Sequence, residues 1–277
     1  MAFKKLDSKN LSLDPYACWI LASPRSGSTY LCHLLNQAIP KYKNISFTEH
    51  FGIENNSYYS LIHKDTHDKL KLNYEYLSVE YRDEFRKLLR NVNIDYYFNN
   101  QYSFPTRNKF MIHHLTWINN TYKNMVNNYK SIYNKISNKI PNIKYINIVR
   151  KNTIAQSVSL YHADFSKVYL SFQFYKSYHE KVIPFNFEEI FKSYSYLKQS
   201  QGKWKDFILQ IPEEKYITVF YEDLRNNPKN EISRIGKFLN FPINYDFIKN
   251  KIIITPTTKK ESYDHRKLFE KLLKEKK

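Results

Sequence analysis

Apolar positions recur along the chain in two rhythms, short unbroken runs and stripes at helical spacing. Residues 17–22 form an apolar run of strand length, and Leu31, Leu34 and Leu35 follow at helical spacing, which predicts a strand and then a helix over residues 31–37. Residues 45–48 read as a short second strand ending at Glu49. A polar stretch rich in Tyr and Asn runs from there to about Arg107, with helical periodicity over residues 79–89. Residues 109–115 read as a strand, and 117–140 as a helix that Pro141 stops. Residues 145–149 predict a strand and 152–165 the helix after it. A helix is expected over 187–209, with Gly202 as a weak point, and a strand over 216–221. Pro228 suits the first turn of a helix running to Phe238, and the last part of the charged tail 259–277 reads as helical.

Strands that alternate with helices imply an α/β fold: a parallel β-sheet built from βαβ units and flanked by helices. Ligands of such sheets bind outside the carboxyl ends of the strands. The polar groups that follow the expected strands are residues 23–29, Glu49 with His50, Arg150 with Lys151, and Glu222 with Asp223. If the strands are parallel, all four groups open on one edge.

The first of these groups carries the most chemistry. Between strand and helix stand Arg25, Gly27 and four hydroxyl residues, Ser23, Ser26, Ser28 and Thr29. One hydroxyl would suffice to cap a helix. A helix start leaves backbone N–H groups unpaired and carries partial positive charge. Gly lets the backbone approach closely and Arg adds a full charge, so the loop suits a phosphate or sulfate. The nucleotide-binding pattern G-x-x-x-x-G-K-[ST] is not met, because Ser28 stands where the Lys would be.

Two further constellations lie on the same expected edge. Arg150 ends a strand, and Ser159 follows two to three turns along the next helix. Such a pair can grip one phosphate, with a charged fork from Arg and a neutral donor from Ser. Glu49, just past a strand, could accept a proton from an alcohol, and His50 beside it has an unperturbed pKa near ~6.5 that suits the same role. Lys109, Lys259 and Lys260 read as solvated lysines, and Glu222 and Asp223 as structural acids that bind backbone N–H groups or a basic partner.

Composition narrows the setting. The 277 residues, 42% hydrophobic, can bury a sizeable core. No apolar run approaches the roughly 20 residues of a membrane span, and the start of the chain lacks the apolar core of a secretory signal. The only two cysteines, Cys18 and Cys32, sit among apolar neighbours and read as buried thiols, which suggests a cytoplasmic setting. The formal charge of +18 suits an anionic ligand, but abundant Lys, Asn, Ile and Tyr throughout point to composition as its main source.

The loop, in the form LASPRSGST-x-L, resembles the phosphosulfate-binding loop of sulfotransferases, most closely the bacterial branch that includes trehalose 2-sulfotransferase. That branch carries a second element resembling R-x-D-x-x-x-Q-A-V-S-[FL]-[WY], which Arg150, Gln156, Val158, Ser159, Leu160 and Tyr161 match, while Asn152 and Ser157 depart from it. Its E-[FY]-F segment, whose Glu is the catalytic base, is matched by Glu49 and Phe51 with His50 departing, and Tyr221 to Leu224 resemble the Y-E-D-L of many sulfotransferases.

The resemblance implies a three-layer sulfotransferase fold like that of P-loop NTPases, in one domain over residues 1–277. A variable acceptor-side segment would occupy about 53–108. It implies 3′-phosphoadenosine 5′-phosphosulfate as co-substrate, held by Arg25, Ser26, Gly27, Ser28 and Thr29 at one end and by Arg150 and Ser159 at the other. Glu49, with His50 as rival, and Arg25 would be catalytic. No metal would be needed. The acceptor would be a hydroxyl of a small polar molecule such as a carbohydrate or glycolipid, and relatives suggest a homodimer. Two other readings compete: a non-catalytic or kinase-like nucleotide binder, and a basic polyanion-binding module. The missing Lys and the Arg150–Ser159 pair weaken the first. The second rests on charge alone, so nucleic acid is not the expected partner.

Overall fold

The computed structural model describes residues 17–38, 107–111, 129–166, 182–241, 243 and 260–276. In chain order the elements are β1 (Cys18–Ala22), α1 (Ser28–Ala38), β2 (Arg107–Met111), α2 (Tyr129–Lys139), β3 (Lys144–Val149), α3 (Thr153–Ser166), α4 (Phe187–Ile208), a 3₁₀ turn (Glu213–Lys215), β4 (Tyr216–Phe220), α5 (Tyr221–Asn226), α6 (Pro228–Leu239) and α7 (Lys260–Glu275). The strands make one four-stranded sheet in the order β2-β1-β3-β4. Every pairing is parallel, with Ile20 opposite both Lys109 and Ile146, and Ile148 opposite Val219.

The expected α/β sheet is therefore present, and β1, β3 and β4 are neighbours within it. The alternation of side chains along a strand builds its two faces. Cys18, Ile20 and Ala22 of β1 join Ile146, Ile148 and Val219 in a cluster with Leu31, Leu34 and Leu35 of α1 and Ile232, Ile235 and Leu239 of α6. Trp19 points the other way, with its ring 4.9 Å from Phe110. Phe110 meets Trp204 of α4 at 5.9 Å, and Tyr145 lies between Phe207 of α4 at 6.2 Å and Tyr133 of α2 at 6.3 Å. Helices thus cover both faces in three layers. All five residues of β1 are wholly buried, each large apolar side chain contributing about 1.5–3 kcal/mol.

Element ends differ from the sequence reading in ways that packing explains. The strand expected over 109–115 is described as β2 at Arg107–Met111, where it starts two residues earlier in register with β1, and residues 112–115 lie outside the described residues. The helix expected over 117–140 is described only as α2. The fourth strand stops at Phe220, and Tyr221 opens α5, whose first turn carries Glu222 and Asp223. Asn152 caps α3 instead of lying inside it, its Oδ1 accepting from Ala155 N at 2.7 Å. Gly202 does not interrupt α4. The second strand expected over 45–48, the periodicity over 79–89 and the segment 53–108, apart from its last two residues in β2, lie outside the described residues. Both cysteines are buried and neither is in a disulfide. Among the described residues no helix is long and apolar enough to cross a membrane.

The tail helix α7 packs on α3 and α4. Phe269 is buried against Val158, Tyr161, Ile183 and Ile190. Beside that cluster, Nε2 of His162 and Nδ1 of His265 lie 3.0 Å apart. One nitrogen must donate and the other accept, so the contact tolerates one extra proton but not two. Burial pushes His265 below its ordinary value, against Glu261 and Asp264, which raise it. A lowered histidine stabilises the fold above its unfolded pKa, and that contribution fades as pH falls through the folded value. The thermal midpoint is therefore expected to drop on acidification from pH 8 to pH 5. The drop should be shallower in His265→Gln, and equal acid limbs in the two proteins would refute the coupling.

Candidate active site

Strand order places the loop after β1 where the sheet's connections diverge, since β1 is flanked by β2 on one side and β3 on the other. Such switch points open a crevice at the strand ends. The loop turns tightly there, with Ser26 N donating to Ser23 O at 3.2 Å and Leu31 N to Gly27 O at 3.1 Å. Two residues take left-handed backbone, Arg25 at φ 60° and Gly27 at φ 89°. For Arg25 this conformation costs about 1–2 kcal/mol, so its surroundings must hold it. For Gly27 the reason for glycine is also steric, because a Cβ there would lie 2.2 Å from Cδ2 of Tyr221.

The loop delivers the chain into α1 with no acidic residue in its first turn. The partial positive charge of this helix start is therefore left for an external anion. Ser28 and Thr29 open that turn. Ser26 is buried, and its Oγ has no hydrogen-bond partner among the described residues. An orphaned buried hydroxyl is costly, which suits a group that waits for a ligand.

The elements after β3 and β4 close around this loop. Gln156 Nε2 donates to Pro24 O at 2.7 Å, and Arg25 Nε donates to Ser159 Oγ at 3.0 Å. Arg150 lies with its guanidinium carbon 5.1 Å from the centre of the Tyr221 ring, and its Nη1 makes a long 3.4 Å contact to Arg25 O. Its Nε is buried without a partner among the described residues. Burial lowers Arg150 from the usual arginine value, a shift that Tyr221 and Glu222 oppose and that Arg25 and Arg225 reinforce. It remains a cation at neutral pH.

The acids after β4 hold this geometry together. Glu222 accepts from Lys151 N at 3.0 Å and from Asn152 N at 3.2 Å, just ahead of α3. Asp223 takes Lys151 Nζ at 2.8 and 2.9 Å. The two acids therefore bind backbone N–H groups and a basic partner, and they fix where β3 hands over to α3. These contacts are exposed, so their value is positional more than energetic. The result is a sheet edge with two guanidiniums, several hydroxyls and a helix start, a set of groups that suits anionic oxygens. Among the described residues no group of three or more His, Cys, Asp and Glu side chains could hold a metal ion.

A model of the sulfotransferase family matches residues 18–245, which takes in the loop, β3, α3 and the segment after β4. The chain belongs to the sulfotransferase family. Its fold is accordingly the α/β sulfotransferase fold, and its activity class is sulfuryl transfer. Three solved structures are similar to it. The sulfotransferase domain from the Synechococcus PCC 7002 olefin synthase is 17% identical, with 90% of this chain and 82% of that one covered at a TM-score of 0.38. The sulfotransferase domain from the curacin biosynthetic pathway is 16% identical over 90% of this chain and 82% of that one, at 0.42. The sulfotransferase STF9 from Mycobacterium avium is 12% identical over 94% of this chain and 76% of that one, at 0.45. No curated protein sequence matches the chain significantly.

In this sulfotransferase the structure brings Arg25, Ser26, Gly27, Ser28, Thr29, Arg150 and Ser159 to one sheet edge. Arg25 and Ser159, expected to serve opposite ends of the donor, are bonded directly to each other. Glu49, His50 and Lys259 lie outside the described residues. Lys109 sits within β2 opposite Ile20, away from the strand end. Two residues of the site escaped the sequence reading as working parts. Tyr221 read as the end of a strand and the first residue of the Y-E-D-L resemblance, and Gln156 as a match to the second element with no role of its own. The only local sign for Gln156 was its match to the family pattern.

Proposed function

We propose that this sulfotransferase moves a sulfuryl group from 3′-phosphoadenosine 5′-phosphosulfate to a hydroxyl of a small polar acceptor, of the carbohydrate or glycolipid kind. The observation that carries the reading is the convergence of Arg25, Arg150 and Ser159 on the start of α1 beside the Ser26 hydroxyl, which has no partner among the described residues. Two cations within one crevice repel each other unless anions join them, and a donor with separate phosphate groups supplies those anions. The likeness of the loop and of the Arg150–Tyr161 segment to the trehalose 2-sulfotransferase-like branch supports the acceptor class. The buried thiols, neither of them in a disulfide, support a cytoplasmic setting.

In this reading the donor brings the activated sulfur, and the chain supplies position and charge. Glu49, or His50 in its place, takes the acceptor proton as the acceptor oxygen bonds to sulfur. Arg25 and the N–H groups of the loop hold the negative charge left on the departing oxygen.

The test is calorimetric titration with 3′,5′-adenosine bisphosphate, ATP and an oligonucleotide. Tight binding of the bisphosphate alone is expected. Arg150→Ala removes a charged hydrogen bond worth about 1.5–3 kcal/mol. It should weaken the bisphosphate at least tenfold and 5′-AMP much less. Preference for ATP would favour a kinase-like binder, and binding to the oligonucleotide that falls steeply with salt would favour a polyanion module.

A further inference from the structure

Gln156 is buried on α3, one turn before Ser159, and its side-chain amide donates to Pro24 O at 2.7 Å. The peptide it touches leads into Arg25 at φ 60°, a conformation that residues with a Cβ seldom adopt. A trans peptide is planar, so holding its oxygen also fixes the direction of its N–H. Rotation of this peptide would let Arg25 relax into ordinary backbone and would carry its side chain away from Ser159. A second hold on the loop backbone from this side, the Arg150 contact to Arg25 O, is long and weak at 3.4 Å. We propose that Gln156 is a positioning residue, which clamps the Pro24–Arg25 peptide so that the anion loop keeps its binding shape before any ligand arrives. One helix would then supply both a grip, Ser159, and the clamp that aims Arg25 at it.

The ligand used to read this role rests on the donor reading above, but the loop shape does not. Two measurements therefore go together: amide hydrogen exchange over residues 23–29 in the free chain, and affinity for 3′,5′-adenosine bisphosphate. Gln156→Met keeps the volume and removes the donor. Exchange in the loop is expected to rise about tenfold, the scale of one hydrogen bond, with α3 and β3 unchanged and affinity weakened by a similar factor. Loop exchange like that of the unaltered chain, or a rise spread evenly over the whole sheet, would overturn the proposal. If the Met variant fails to fold, Gln156→Glu at pH 8 is read the same way, because its carboxylate keeps the shape and cannot donate. If the unaltered chain does not bind the bisphosphate at all, the donor reading falls and the exchange difference still decides the role of Gln156.

Discussion

Gly27→Ala is expected to weaken binding of 3′,5′-adenosine bisphosphate by at least about 30-fold. Two costs add. The residue sits at φ 89°, where a Cβ is strained by about 1–2 kcal/mol. The new methyl would also meet the Tyr221 ring at 2.2 Å, and overpacking of this kind costs about 1–3 kcal/mol. The ring cannot retreat freely, because Arg150 lies against it and Glu222 and Asp223, next in the chain, are tied to Lys151 and Asn152. Relief must come from the loop, and that moves Arg25 and Ser26. Gly202→Ala is the control, since nothing lies within 4 Å of a Cβ there. It sits inside α4 and should raise stability by up to about 1 kcal/mol with affinity unchanged. Calorimetry and thermal unfolding read both variants. A Gly27→Ala protein that binds the bisphosphate normally would mean that this loop is not the anion site.

The largest effect on turnover is expected at Glu49. Its place after the first loop, in a segment resembling the family's base motif, motivates the role. Glu49→Gln keeps shape and hydrogen bonding but cannot accept a proton. A general base contributes about 10²–10⁴ in rate, so turnover should fall by that order while affinity for the bisphosphate stays nearly constant. His50→Asn is the paired measurement. If the His50 variant loses activity and the Glu49 variant keeps it, the roles are exchanged. Full turnover in both places the base elsewhere.

Much of the fold was legible because it is written in local patterns. The apolar run before Ser23, the stripe of Leu31, Leu34 and Leu35, and the strand ending at Val149 each mark an element by period alone. Caps came from the structure: Asn227 and Asn186, to which the sequence pattern assigns no role, accept from Asn230 N and Glu189 N as short polar side chains before helices do. Ends were less so. Phe220 and Tyr221 are both aromatic, and nothing in the sequence separates a last strand residue from a first helical one.

The proposed anion loop was legible for a different reason. Gly27, Arg25 and the hydroxyls lie within a few residues of one another, so their shared chemistry needs no partner to be recognised. That chemistry, the alternating α/β order and the polar group after each strand are what the sequence by itself determined. The tertiary structure alone decided that Arg25 bonds Ser159, that Gln156 holds Pro24, that the Tyr221 ring fills the place of a Gly27 side chain, and that Glu222 receives the N–H groups ahead of α3. These contacts join residues 70 to 194 positions apart, and they exist only because parallel register brings the ends of β1, β3 and β4 to one edge. Side-chain period and residue chemistry act over a turn or a strand, whereas register is settled by burial across the whole sheet.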